Sequence, residues 1–398
     1  MARDAVQAAV DGLAERLRRS VVINDAAVHL LYASAHYGDE DPVRVRAVLQ
    51  READSKVIGH VLAQGVATWT TAGVIPPEPS LQMKARVCVP VRWRGELLGL
   101  LMVMDADGTL TTTELTGITE VARTVAPLLL PQVRDDQDPQ PVLDLLGRNP
   151  VLRRQALAEL GAAAFEPLTA VELAVLGAAD EPAAAHAATA LRAAITARAS
   201  ARPGGRLHAV TGDTAVLLLG DRTGLRPYVD GLLDRVRDLC AGRFTCVAGI
   251  GPEVPGAECA FESAEQARLA RRAAATVLHA PVATWAELGP YGILLRIPPD
   301  ELTDAALPAE LRLLRHADPG GELARTVRCY LDHAGNGPAA AAALHIHRTT
   351  LYYRLGRVRE LTGLDLDDGR TRLSLHLGLA MTDLIRTPPP AANRQAGS

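Results

Sequence analysis

Residues 337–363 read "GPAAAAALHIHRTTLYYRLGRVRELTG", and how this stretch folds decides how the C-terminal part of the chain is built. Pro338 falls where a first helical turn has no use for its missing N–H, and the alanines after it let a neighbouring helix approach closely. After Leu344 the chain must turn sharply. His345 takes the position where such a turn demands a left-handed residue, a conformation histidine tolerates better than most side chains. His347 then serves as N-cap of a second helix, which Gly363 ends. Leu351, Leu355, Val358 and Leu361 recur at helical spacing as one apolar stripe. That stripe turns Thr349, Tyr353 and Gly356 to the opposite face, with Thr350, Tyr352 and Arg357 beside them.

The exposed face carries the residue types that a major-groove helix uses. Arginine reads guanine or holds phosphate, threonine bonds phosphate or touches the thymine methyl, and tyrosine bonds the backbone. Between 344 and 360, Arg348, Arg354, Arg357 and Arg359 face Glu360 alone. On periodicity and charge, the stretch fits a groove-reading helix and an ordinary amphipathic helix with a solvated arginine face about equally. His345 and His347 have no acidic or cysteine partner at metal-ligand spacing, so turn and cap roles are expected of them. No base or cleft can be argued for the tyrosine pair, which removes a catalytic reading.

The rest of the chain narrows the choice. At 398 residues it is long enough for two or three domains, and 48% hydrophobic with 22% charged residues is a soluble, globular composition. No apolar run reaches the roughly 18 residues of a membrane span, and the first twenty residues do not form a signal-peptide core, so a cytoplasmic protein without membrane contact is expected. A net charge of −4 confines any nucleic-acid binding to a local patch. The five cysteines are scattered, with no zinc or redox spacing. His29, His36 and His60 form no recognisable ligand set, and no P-loop, G-x-S-x-G elbow or H-E-x-x-H is present.

Residues 20–34 read as two short strands around an Asn-Asp turn, followed by a helical stretch from Pro42 to Gly65. Residues 85–108 are two β-rich runs joined at Arg94-Gly95, and a helix starts near Thr111, with Glu114 three residues on. "PQVRDDQDPQP" (131–141) has linker composition. The middle segment alternates helices and strands, with a hairpin over 205–221 that turns at Thr211-Gly212-Asp213. A looser stretch around 289–300 precedes an all-helical end.

The run "VRCYLDHAGNGPAAAAALHIHRTTLYYRLGRVRELTGLDLDDGRTRLSLHLGLAM" (327–381) resembles the C-terminal helix-turn-helix of the PucR/CdaR family of bacterial transcriptional regulators. The resemblance implies base or phosphate contacts by His347, Arg348, Thr350 and Tyr353. With their face-mates Thr349, Tyr352 and Arg357 they form the candidate DNA-binding set. The middle segment resembles the GGDEF-like domain that accompanies this motif. In active cyclases a Gly-Gly-Asp/Glu-Glu-Phe hairpin supplies acidic magnesium ligands. Here the hairpin reads "VTGDTAVLLL", with Thr211 in place of a glycine and Thr214 in place of the glutamate. Phosphoryl transfer on two metals needs clustered carboxylates, so packing, dimerisation or signal relay is expected rather than catalysis. The run "CVPVRWRGELLGLLMVMDADGTLTTTELTGITEVA" (88–122) is similar to a GAF domain, a small-molecule sensor fold; within it Cys88 is expected to be a buried structural thiol rather than a redox sensor.

The expected fold class is multidomain α+β: an N-terminal GAF-like α/β sensor (18–130), a linker (131–149), a central degenerate GGDEF-like α+β domain (150–283), a connector (284–321), a C-terminal all-α helix-turn-helix (322–386) and a disordered tail (387–398). The expected function is effector-responsive transcriptional regulation by a homodimer or higher oligomer on promoter DNA. No catalytic residue, metal or cofactor is assigned, and the effector site stays unassigned. A nucleotide-processing protein built on the middle domain and a non-DNA signalling adaptor are the rival readings.

Overall fold

A computed structural model of the chain describes residues 2–50, 54–137, 139–161, 167–196, 206–220, 224–298 and 300–386. The tail expected from 387 onward lies outside the described residues. The chain divides into two compact units, one built from 1–271 with 280–285 and the other from 272–279 with 286–398. The first unit holds two mixed α/β layers, each with its own five-stranded sheet, and the second is helical.

The first sheet is antiparallel, in the order β2-β1-β5-β4-β3: β1 (Val21–Asp25), β2 (Leu30–Ala33), β3 (Gly73–Ile75), β4 (Arg86–Trp93) and β5 (Glu96–Met104). Arg94 and Gly95, at φ 50° and 91°, join β4 to β5 in a two-residue turn whose left-handed residues suit the twist of the strands. Both faces of the sheet are buried, and alternate residues serve each. Val87, Val89, Leu101 and Val103 pack under α1 (Ala2–Leu17) and α4 (Thr112–Gln137). Cys88, Leu100 and Met102 face the other way, toward α2 (Pro42–Gln50) and α3 (Ser55–Ala63). The start of α4 carries a capping box, with Glu114 accepting the Thr111 N–H at 2.8 Å and the Thr111 hydroxyl at 2.7 Å.

Sequence reasoning missed α1. Val6, Val10 and Leu13 sit at helical spacing and are fully buried, a pattern obscured by the charges between them. The helical stretch expected over 42–65 contains two helices, α2 and α3. The stretch expected as a linker is largely helical as well: α4 runs to Gln137 and α5 (Gln140–Leu145) follows. Val142 and Leu145 are buried, which draws this segment onto the second sheet.

The second sheet has the order β10-β9-β6-β8-β7, built from β6 (Leu168–Leu176), β7 (Arg206–Thr211), β8 (Thr214–Leu219), β9 (Thr245–Val254) and the three-residue β10 (Val282–Thr284), which pairs parallel to β9. Leu168, Ala170 and Leu218 face α5, α6 (Pro150–Glu159) and α9 (Ala260–Thr276). Val171, Leu173 and Val175 face α7 (Glu181–Thr196) and α8 (Leu225–Leu239). This last layer is continuous with the apolar layer under the first sheet, and α3 is the joint. The Ser55 hydroxyl lies 3.0 Å from Asp238 Oδ2 on α8, and Gly59 presses so close that an added Cβ would stand 2.2 Å from the Asp238 carbonyl oxygen.

The second unit contains α10 (Tyr291–Leu294), α11 (Ala309–Ala317), α12 (Glu322–Asp332), α13 (Gly337–Ala343), α14 (Arg348–Thr362) and α15 (Gly369–Arg386). Leu311 and Leu314 of α11 belong to its core, so part of the stretch expected as a connector is structural. Among the described residues no helix is long and apolar enough to cross a membrane.

Candidate nucleic-acid interface

Backbone geometry fixes the angle between α13 and α14. Asn336 caps α13, its Oδ1 accepting the Ala339 N–H at 3.1 Å, and Pro338 lies in the first turn. At the other end His345 is left-handed at φ 54°. Its N–H donates to the Ala342 carbonyl at 3.1 Å, and the Ile346 N–H donates to Ala341 at 3.0 Å. These two bonds form a Schellman closure, which satisfies carbonyls that a helix end otherwise leaves open. His347 then caps α14: its Nδ1 accepts the Thr349 N–H at 3.3 Å and lies 2.9 Å from the Thr349 hydroxyl. Gly363, at φ 73°, ends the helix.

Leu351, Leu355 and Val358 are buried against α11, α12, α13 and α15, each burial contributing roughly 1.5–3 kcal/mol. Leu361, the fourth residue of the stripe, is half-buried. The stripe rotates the remaining candidates outward. Arg348, Thr349, Thr350, Tyr353 and Arg357 are exposed, Tyr353 by 74%. Tyr352 is 55% exposed but leans back over α13, where an added Cβ on Gly337 would lie 2.4 Å from its hydroxyl oxygen.

The arginines divide into two groups. Arg354 turns inward to Glu322 of α12 at 3.2 Å, and Arg357 pairs with Glu360 at 2.8 Å. Arg348 and Arg359 are exposed and have no acidic partner among the described residues. The positive end of the α14 dipole reinforces Arg348, since it favours an anion. Asn336 was not singled out as a cap by sequence reasoning, although the Asn-Gly-Pro order was the available signal: a capping side chain two residues before a first-turn proline.

Beside the β7–β8 hairpin the geometry does not suit metal chemistry. The β7–β8 hairpin turns at Gly212 and Asp213 as expected, with Thr211 paired to Thr214. The cleft beside it is lined by two carboxylates, and arginine matches each. Glu172 meets Arg271 at 2.8 Å, and Glu265 meets Arg268 at 3.0 Å. Burial pushes the Glu172 carboxyl up, with Arg271 opposing. These residues do not fit a pair of divalent cations, which need free carboxylates. Among the described residues no group of three or more His, Cys, Asp or Glu is placed to hold a metal ion. Cys88 is fully buried, and burial pushes its thiol up to about 12.

The second unit is thus a helix-turn-helix protein module, with a short capped helix, a left-handed turn and a second helix that shows a polar, cationic face. Residues 323–381 match the PucR C-terminal helix-turn-helix domain, and residues 147–273 match the GGDEF-like domain. The chain belongs to the PucR/CdaR family of regulators. It is 42% identical over 73 residues to the carbohydrate diacid regulator of Escherichia coli (strain K12), covering 18% of this chain and 19% of that one. It is 39% identical over 74 residues to the proline-responsive transcriptional activator PutR of Bacillus subtilis (strain 168), covering 18% of each. A third relative, an uncharacterized protein in the pkwA 5′ region of Thermomonospora curvata, is 31% identical over 134 residues, which cover 34% of this chain and 72% of that one. The chain spans about a fifth of the length of the first two relatives.

Proposed function

We propose that the chain is a cytoplasmic, effector-responsive transcriptional regulator that binds promoter DNA as a homodimer or higher oligomer. In this reading its helix-turn-helix, about 322–386, lays α14 in the major groove. The observation that carries it is the division of α14 into a buried face of Leu351, Leu355 and Val358 and an exposed face with Arg348, Thr350 and Tyr353. Arg348 reads a guanine edge or holds a phosphate, and Thr350 and Tyr353 bond the backbone or a base. His347 and Thr349 are engaged with each other and set the start of the helix on the duplex. Arg357 and Tyr352 contribute at the margin. One helix of this length offers few base contacts, so paired half-sites and a symmetric assembly accompany the proposal.

The first sheet serves as the GAF-like sensor, about 18–130. The succession of β4, a tight turn, β5 and α4 supports that resemblance. The GGDEF-like region, about 150–283, passes the sensor's state on without making cyclic dinucleotides, as the arginine-matched carboxylates support.

The test begins with fragments of genomic DNA captured by the purified chain. Fluorescence anisotropy across a salt series then compares wild type with Arg348→Ala/Tyr353→Ala. A weaker, less salt-dependent complex is expected. Wild-type affinity and salt slope in the double variant would refute the groove assignment. Production of a cyclic dinucleotide from GTP and magnesium would refute the relay role.

A further inference from the structure

A cleft of about 560 Å³ lies among α11, α12 and α15 of the second unit, within the roughly 300–1,000 Å³ that small-molecule sites occupy. Four arginines and three aspartates line it, with His316 at the end of α11. Each aspartate is already matched. Asp304 pairs with Arg315. Asp383 accepts both terminal nitrogens of Arg328, at 2.8 and 3.1 Å, and the Tyr291 hydroxyl at 3.0 Å. Asp318 caps α12, accepting the N–H groups of Glu322, Leu323 and Ala324 at 3.1, 2.8 and 3.0 Å. Two cations are left over. Arg312 of α11 and Arg325 of α12 line the cleft, are exposed, and have no acidic partner among the described residues. The cleft lies on the flank of α12 turned away from α14: Glu322 meets Arg354, whereas Ala324 and Arg328, which line the cleft, stand about 200° and about 240° further round the helix.

We propose that this cleft binds a small phosphate monoester with a hydroxylated body, such as a sugar phosphate. A phosphate monoester carries about −1.5 to −2 charges near neutral pH and three acceptor oxygens, so one group balances Arg312 and Arg325 together. The two guanidinium forks take the phosphate oxygens, and hydroxyls of the body donate to the remaining lone pairs of the aspartates. Ala324, Leu379 and Pro319 give an aliphatic body little to pack on. The two arginines come from different helices, and Leu311, Leu314 and Val327 of those helices share one core with Leu351, Leu355 and Val358 of α14. A ligand that bridges Arg312 and Arg325 thus ties together the helices on which α14 rests. The site stands in the helical unit itself and does not depend on the sensor reading of the first sheet.

Isothermal titration of the full chain with glucose 6-phosphate and with inorganic phosphate tests the assignment, with glucose and succinate as comparators. Saturable binding of at least one phosphate probe is expected, tighter than succinate, with none of glucose. Arg312→Gln/Arg325→Gln weakens it at least about tenfold, and Arg348→Ala leaves it unchanged. Amide exchange slows in 309–317 and 322–332 when the probe binds. No saturable heat with either phosphate probe, tighter binding of succinate, wild-type binding by the folded double variant, or protection confined to the first unit overturns the proposal. So does a loss in Arg348→Ala as large as that in the double variant, which would put the phosphate on α14. Both arginines are exposed, so neither change empties a core position; if the double variant misfolds, each single change must weaken binding at least about threefold. DNA binding on the same samples separates the two sources of phosphate. A double variant whose DNA salt slope falls by about two, in a chain that binds no free phosphate, shows the arginines holding DNA backbone and also overturns the assignment.

Discussion

Arg354 of α14 reaches back to Glu322 of α12, with Nη2 3.2 Å from Oε2. An arginine that sequence reading counted toward a DNA-facing surface instead ties the candidate recognition helix to its support. Glu322 is largely exposed, so the pair contributes at most about 1 kcal/mol. Arg354→Ala is expected to lower stability by no more than that and to leave the salt dependence of DNA binding unchanged. Arg348→Ala does the reverse, with wild-type stability and a salt slope shallower by about one. Urea denaturation and anisotropy across a salt series measure both quantities.

Gly59 is expected to tolerate no side chain. A Cβ there would stand 2.2 Å from the Asp238 carbonyl oxygen and 3.3 Å from the Leu239 Cα, and backbone cannot swing aside as a side-chain tip does. Gly59→Ala should therefore cost about 1–3 kcal/mol or more by forcing α3 off α8. Gly117→Ala in α4 meets nothing within 4 Å and gains helix propensity, so it should be neutral or stabilising. Thermal melts of the two variants make the comparison.

The helix-turn-helix was legible because its signals are local. Caps, a left-handed turn, a terminal glycine and one apolar stripe all lie within 27 residues of sequence, and each acts through the backbone beside it. The β4–β5 and β7–β8 hairpins were legible for the same reason. What escaped depends on residues far apart in the chain. Arg354 looks like its exposed neighbours until Glu322 arrives from another helix, and the β10 strand is only three residues that pair with β9. Leu145 follows closely on a polar, proline-rich stretch whose composition signals a linker, and the second sheet gives it something to cover.

Cys88 should behave as an inert thiol. Full burial and a pKa raised to about 12 leave almost no thiolate near neutral pH, and the thiolate is the reactive form. Iodoacetamide on the native chain is expected to modify the partly exposed Cys259 and Cys329 first and Cys88 only after unfolding. Peptide mapping of the labelled sites over time provides the check, and early labelling of Cys88 would restore a redox-sensor reading.

His345 pays a conformational cost that glycine would not. It stands at φ 54°, where an L-residue is strained by roughly 1–2 kcal/mol, though histidine less than a β-branched side chain. Its ring is exposed, so truncation removes little packing. His345→Gly should be neutral or stabilising by up to about 1 kcal/mol, and His345→Val should destabilise the second unit by a similar amount or more. Denaturation midpoints for the two variants are expected to fall on opposite sides of wild type, or Gly at wild type and Val below it.

Glu40 makes the first unit sensitive to acid. Burial alone would raise its carboxyl, but several bonds outweigh that effect: its own backbone N–H, the Ser20 hydroxyl at 2.8 Å, the Tyr37 N–H at 2.7 Å and the Gly38 N–H at 3.3 Å hold the pKa at about 2, against 4.5 ordinarily. A carboxylate that is a weaker base in the folded chain than in the unfolded one stabilises the fold above about pH 4.5. As pH falls from there toward 2, the unfolded chain takes up a proton that the folded chain refuses, and this contribution drains away. His36, with Nδ1 3.0 Å from Glu40, adds attraction only where its ring is protonated. Glu40→Gln keeps the shape and removes the titration. The stability difference between wild type and Glu40→Gln should thus be larger at about pH 5 than at about pH 3, measured by urea denaturation. A difference that stays constant between those values, or grows toward acid, would show that Glu40 is not held down by these bonds.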